Sequence, residues 1–251
     1  MGRTRAVCGA AVVMVAAGLT GCGGGSATPS ITVFAAASLE PAFTEIAEQF
    51  KTDNPGLTVA FNFAGSSDLA TQLTQGARAD VFASANTTQM DKVAQAGLLD
   101  GAAVPFATNT LVIVTAPGNP RGVRSFADLA QPGLAVVVCQ APVPCGSATH
   151  KVEEATGVAV DPVSEEPDVT DVLNKVTTGQ ADAGVVYRTD ALHAGEKVAT
   201  VEFAEAAGAV NTYPIALLGQ APRFGPARVF VDLVTGEAGR KILHAAGFGR
   251  P

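Results

Sequence analysis

The sequence predicts an α/β fold, and three observations carry that prediction. Short apolar runs alternate with segments whose apolar residues recur at helical spacing, from residue 31 almost to the end. Several runs end in small residues followed by a serine or aspartate that opens a helix. Beyond an N-terminal leader about 230 residues remain, enough for two lobes of ordinary domain size.

Residues 31–36 read as a buried strand, and Ser38 stands where the N-cap of the next helix belongs. That helix carries Leu39, Phe43, Ile46, Ala47 and Phe50 on one face, with Pro41 in its first turn. Residues 57–63 form a second strand and 64–67 a tight loop. A short helix over 68–76 follows, with Ser66 as its cap and Asp68 in the first turn, where negative charge is favoured. A strand at 79–83 and a helix at 88–96, stopped by Gly97, come next. Pro105 and Phe106 precede a strand at 111–115; 125–130 is a short helix and 134–139 another buried strand. Residues 147–156 form a helix closed at Gly157. The helix at 168–178 presents Val169, Val172, Leu173 and Val176 on one face. A strand at 183–187 ends in Tyr187, one of only two tyrosines. Strands at 197–203 and 213–218 and a helical pair over 227–246, interrupted near Gly236, complete the chain.

Four strand-to-helix junctions share one chemistry: Ala37-Ser38, Gly65-Ser66, Cys145-Gly146 and Asp168-Val169. Each joins small or neutral side chains to a helix start, where amide hydrogens point outward and the helix presents roughly half a positive charge. None carries lysine or arginine at the cap. Taken singly, Ser38, Ser66 and Asp168 are ordinary caps worth about 1 kcal/mol each. Their recurrence at the carboxyl ends of strands, where α/β folds bind ligands, points to a small anion held by neutral donors.

The N-terminus reads as an export signal. Arg3 and Arg5 form a basic start, and residues 6–19 are almost unbroken apolar, short for a bilayer span but suited to a signal-peptide core. Leu19-Thr20-Gly21-Cys22 resembles the lipobox of bacterial lipoproteins, with Cys22 as the residue to be lipidated, and the Gly-rich run to Ser30 reads as a flexible tether. More than one acyl chain would make the anchor stable. Cys139 and Cys145 remain outside the leader, across a segment with Pro142 and Pro144. In an extracytoplasmic compartment a disulfide between them is the expectation.

Acidic residues number 23 against 16 basic, a net charge of −7, and setting aside Arg3 and Arg5 deepens the deficit. No basic stripe is visible, so nucleic acid is excluded as a partner, and anion binding must rest on local dipoles rather than the long-range field. His150, His193 and His244 are far apart without metal-ligand spacing and read as surface residues; Glu165-Glu166 reads as a solvated turn. No catalytic residue, metal-ligand motif or phosphate-loop pattern emerges, so neither enzyme activity nor a cofactor is expected.

ITVFAAASL (31–39), FAGSSDLATQL (63–73) and ADVFASA (79–85) resemble the molybdate-binding component of bacterial molybdate ABC transporters. The similarity continues through 138–146, 168–172, GVVYRTDA (184–191), YPIA (213–216) and AAGF (245–248), nearly the whole mature chain. The resemblance implies a two-lobed periplasmic-binding-protein fold of type II, each lobe a mainly parallel sheet flanked by helices, with the ligand cleft between lobes. It implies that Ser38 and Ser66 donate hydroxyl and amide hydrogens from the first lobe. Cys145 and Val169 would donate backbone amides from the second, and Tyr187 its phenolic O–H. Molybdenum would then be bound only as the oxyanion, without direct coordination by a side chain. Cys145 stands where better-known relatives usually have alanine; a role played by a backbone amide tolerates the change.

The expected organisation is a leader and tether over residues 1–29, lobe one over 30–109 and 213–251, and lobe two over 110–212, hinged near Leu111 and Tyr213. The expected function is capture of molybdate, and tungstate, by a monomer anchored through Cys22 to the outer face of the cell membrane, for delivery to an ABC permease. Two other readings fit the same pattern: a binder of another tetrahedral oxyanion such as sulfate, and an enzyme on a similar bilobal scaffold.

Overall fold

The computed structural model describes residues 30–251 together with Gly2; the expected leader, the lipobox at Cys22 and the tether lie outside the described residues. Two five-stranded sheets are each flanked by helices. The first contains β1 (Ser30–Ala36), β2 (Thr58–Ala64), β3 (Val81–Ala83), β4 (Leu99–Asn109) and β10 (Asn211–Leu218), in the order β2-β1-β3-β10-β4. The second contains β5 (Leu111–Thr115), β6 (Val136–Cys139), β7 (Ser164–Glu166), β8 (Ala183–Tyr187) and β9 (Ala199–Val201), in the order β7-β6-β8-β5-β9. In each sheet four strands run one way and one runs against them, β10 in the first and β5 in the second. The chain passes between sheets twice, through Thr110 between β4 and β5, and at Val210 ahead of β10. Asn109 and Asn211, directly paired across β4 and β10, stand at these two crossings.

The helices are α1 (Glu40–Asp53), α2 (Ser66–Thr74), α3 (Thr87–Gln95), α4 (Pro144–Thr156), α5 (Val169–Thr177), α6 (Arg188–Ala194), α7 (Phe224–Thr235) and α8 (Glu237–Ala245). Helix α1 buries Ala42, Phe43, Ile46 and Phe50, the stripe its spacing dictates. Phe43 and Phe50 meet Phe230 of α7 edge-on at 6.0 and 5.6 Å, so one aromatic cluster fixes two helices to the first sheet. In the second unit α5 lays Val172 and Val176 on β8. Gly184 permits this, since a Cβ there would come within 2.9 Å of Val172. The buried carboxylate of Asp80 accepts from the amides of Thr32 and Arg223 at 2.7 and 2.8 Å. It thereby ties β1 and the start of α7 to the strand it precedes.

The structure corrects several sequence expectations. Neither serine is a side-chain cap: Ser38 lies within the 3-10 turn Ala37–Leu39, and Ser66 is the first residue of α2 behind Gly65 at the N-cap. Their hydroxyls have long-range partners instead. Helix α4 begins at Pro144 rather than 147, so Cys145 falls in its first turn. No element is expected over 99–109, yet β4 forms there as an edge strand, where Pro105 is tolerated. Glu165-Glu166 belongs to β7, with Glu166 buried against Lys175 and Ser164, and the strand expected over 197–203 shortens to β9. Arg188, next to Tyr187, opens α6 and is exposed.

Candidate functional site

The expected ligand residues all follow from carboxyl ends of strands. Ser38 follows β1, Ser66 follows β2, Cys145 lies beyond β6, Val169 lies beyond β7, and Tyr187 ends β8. All five line one small cavity of about 10 Å³, walled otherwise by alanines 36, 37, 64 and 85, Gly65, Val143, Pro144 and Asp168. Such a space holds one water-sized group. Entry of a larger tetrahedral ion therefore requires the walls to part and re-close. Two larger hollows, of about 290 and 750 Å³, do not include the starts of α2, α4 or α5. The smaller of these shares Ser38 with the cavity and runs along α1 and α6; the other lies beside the C-terminus.

Three helix N-termini meet at the cavity. Ser66 is the first residue of α2, Val169 the first of α5 and Cys145 the second of α4, positions whose amide hydrogens have no intrahelical acceptor. Asp168 does cap α5, accepting from the amide of Asp171 at 3.0 Å, as its sequence position implies. Among the described residues no lysine or arginine lines the cavity. Its attraction for an anion therefore comes from amide dipoles and hydroxyls.

Cys139 and Cys145 are bonded, joining the end of β6 to the first turn of α4. The adjacent Gly146 cannot carry a side chain, because a Cβ would lie 2.0 Å from the Gln140 carbonyl oxygen. The loop thus folds tightly back on the helix, and the Cys145 sulfur is committed to the disulfide.

The two sides touch around the site. A Cβ on Gly65 would lie 2.2 Å from the carbonyl oxygen of Pro167, so glycine is what lets the start of α2 approach the start of α5. Gln89 of α3 donates to the Pro142 carbonyl at 2.8 Å, and Asn109 donates to the Thr189 hydroxyl at 2.8 Å. Asn211 reaches the carbonyls of Ala85 and Pro144 at 2.9 and 3.2 Å and the Tyr187 hydroxyl at 2.7 Å. The Ser38 and Tyr213 hydroxyls are 2.9 Å apart, and Ser66 Oγ accepts from the Ala85 amide at 3.0 Å. Among the described residues every buried side-chain polar atom has a partner.

The five lining residues were legible in the sequence; Asn109, Asn211 and Asp190 behind them were not, and Tyr213 was expected only at a hinge. The available signal was an asparagine beside each expected hinge and the second of only two tyrosines at the return crossing.

Burial pushes both Tyr187 and Tyr213 well above the usual phenol range, so both remain uncharged O–H groups at any physiological pH. Asp190 of α6, buried behind Tyr187 and accepting its amide at 3.0 Å, is pushed up to about 7. Burial is the main cause, partly offset by that amide and reinforced by the negative charge of Asp168.

Comparisons with known proteins agree on one family. The family model for bacterial extracellular solute-binding proteins matches residues 31–249. The molybdate-binding protein ModA of Mycobacterium tuberculosis is 61% identical over 248 residues, covering 95% of each chain. ModA of Escherichia coli is 31% identical over 229 residues, covering 87% of this chain and 88% of its own. The solved periplasmic molybdate-binding protein of Azotobacter vinelandii superposes with a TM-score of 0.77 at 21% identity, covering 88% of this chain and 99% of its own.

The Asp190 carboxyl makes a pH signature. Its folded pKa lies above the unfolded value of 3.8, so between those two values the folded state binds more protons and this group's contribution to stability falls as pH rises. Urea unfolding of wild type and Asp190→Asn at pH 5 and pH 8 is expected to show a smaller loss toward pH 8 in the variant. Parallel losses would remove Asp190 as the source.

Proposed function

The chain belongs to the bacterial extracellular solute-binding proteins and, within them, to the family of the molybdate-binding proteins, and on that premise we propose that it captures molybdate, and tungstate, in the cavity between its two sheets. The observation that carries this reading is the meeting of Ser38, Ser66, Cys145, Val169 and Tyr187 on one cavity free of cationic side chains. Its family are solute-binding proteins, not enzymes; on the cavity wall the Cys145 sulfur is tied up in a disulfide and the Tyr187 phenol stays protonated.

Capture proceeds by closure of two lobes, residues 30–109 with 213–251 against residues 110–212, about the crossings at Thr110 and Val210. The hydroxyls of Ser38, Ser66 and Tyr187 and the amides of Cys145 and Val169 replace the hydration of the dianion. Sulfate has the same shape and charge but shorter bonds, so hydrogen bonds set for the larger ion are stretched and weakened. Monoprotonated phosphate brings a hydrogen that needs an acceptor, and this set of groups offers donors. The closed form is the one an ABC permease would receive. Lipid on Cys22 would hold the monomer at the outer face of the membrane, with Gly23–Ser30 as tether.

Titration calorimetry of the soluble chain with molybdate, tungstate, sulfate and phosphate tests the ligand. One-to-one binding of the first two is expected, with sulfate weaker by at least a hundredfold. Ser38→Ala and Tyr187→Phe each remove one charge-assisted hydrogen bond, about 1.5–3 kcal/mol, or roughly ten- to a hundredfold in affinity. Equal affinity for sulfate would keep the cavity and change the ligand. The anchor is tested separately: fatty-acid labelling in cells is expected to mark the wild type and to vanish in Cys22→Ala, and unchanged labelling would exclude that site.

A further inference from the structure

The hydroxyls facing the cavity are held from behind by donors, and this constrains the direction of their own hydrogens. The Asn211 amide nitrogen lies 2.9 and 3.2 Å from two backbone carbonyl oxygens, those of Ala85 and Pro144. Carbonyls only accept, so the side-chain nitrogen and not its oxygen must face them. The same nitrogen is 2.7 Å from the Tyr187 hydroxyl. An amide nitrogen does not accept, so its two hydrogens are shared among the three oxygens, the Tyr187 oxygen accepts, and the phenolic hydrogen points away from Asn211.

Asn109 is oriented as firmly. Its side-chain oxygen accepts from the Thr110 amide at 3.1 Å, which turns its nitrogen toward the Thr189 hydroxyl at 2.8 Å and the Tyr213 hydroxyl at 3.4 Å. With its oxygen accepting from Asn109, Tyr213 can give its hydrogen to Ser38 Oγ, 2.9 Å away. The Ser38 hydrogen is then free for the cavity. Ser66 completes the set, because the donor behind it is the backbone amide of Ala85.

We propose that Asn109 and Asn211 are positioning residues that polarise two relays, Asn109–Tyr213–Ser38 and Asn211–Tyr187, so that these hydroxyls present hydrogens rather than lone pairs to the bound oxyanion. Both asparagines sit at the crossings between sheets. Asn211 reaches Ala85 beside the first sheet as well as Pro144 and Tyr187 beside the second. The second relay is therefore complete only when the two sides meet, which couples donor orientation to closure. The ionisable groups packed around the relays are Tyr187, Tyr213, Asp190 and Asp168. The two tyrosines stay neutral, their hydroxyls also interact with each other, and neither relay runs through a carboxylate.

This inference rests on the molybdate reading, and a double-mutant cycle separates the two. Wild type, Asn211→Ala, Tyr187→Phe and the double variant are titrated with molybdate at one pH, with far-ultraviolet circular dichroism confirming the fold of each. Asn211→Ala is expected to weaken binding roughly tenfold, and the double variant to bind within about twofold of Tyr187→Phe, because the asparagine acts through that hydroxyl. A purely structural role at the crossing leaves the losses independent, so they would multiply. Multiplied losses, or wild-type affinity in Asn211→Ala, would overturn the proposal while leaving molybdate binding intact. If Asn211→Ala does not fold, the cycle of Asn109→Ala with Ser38→Ala is read the same way, with the same non-multiplying result expected. Absence of molybdate binding by the wild type would overturn both, beginning with the ligand.

Discussion

An anion taken out of water without a countercharge is stable only where hydrogen-bond donors already point at the place it will occupy. On the proposed reading, the rest of this architecture serves that requirement. Sheets with four strands running one way bring their carboxyl ends, and the helix starts that follow, to a shared cavity. Small residues then keep the walls close. Gly65 lets α2 approach the chain before α5, and Gly146 lets the disulfide loop fold onto α4. The aromatic cluster of Phe43, Phe50 and Phe230 lies away from the cavity and serves to hold the first sheet's helices in register.

The electrostatics are local by necessity. The chain is acidic overall, at −7, and Asp168 stands on the cavity wall. On the proposed reading, dipoles a few ångströms away, rather than long-range attraction, bring an oxyanion here. Asp190 sharpens the balance. Buried behind Tyr187 with its carboxyl pushed up to about 7, it adds a negative charge behind the site as pH rises, against Asp168 and, on the proposed reading, against the anion.

Much of this was legible in the sequence where the determinants are local. Residues 31–39 and 63–73 spell strand, small residues, serine and helix, and the ends of four such junctions meet at the cavity. What the local pattern could not reveal was what the serines do. A serine at a helix start is ordinarily a cap, yet Ser38 pairs with Tyr213, 175 residues away, and Ser66 with Ala85, 19 away. Asn211 gathers Ala85, Pro144 and Tyr187, at separations of 126, 67 and 24 residues. Long-range polar pairing leaves no periodicity. Strand β4 was hidden for a different reason: Gly101 and Pro105 are breakers in most contexts and harmless on a sheet edge.

The central claim is that a dianion is held here by neutral donors alone. A crystal structure of the protein saturated with molybdate tests it most directly. The expected result places the ion in the cavity, its oxygens about 2.7–3.2 Å from the Ser38, Ser66 and Tyr187 hydroxyls and the Cys145 and Val169 amides, with no lysine or arginine in contact. An ion found beside a basic side chain, or in the hollow by the C-terminus, would contradict it.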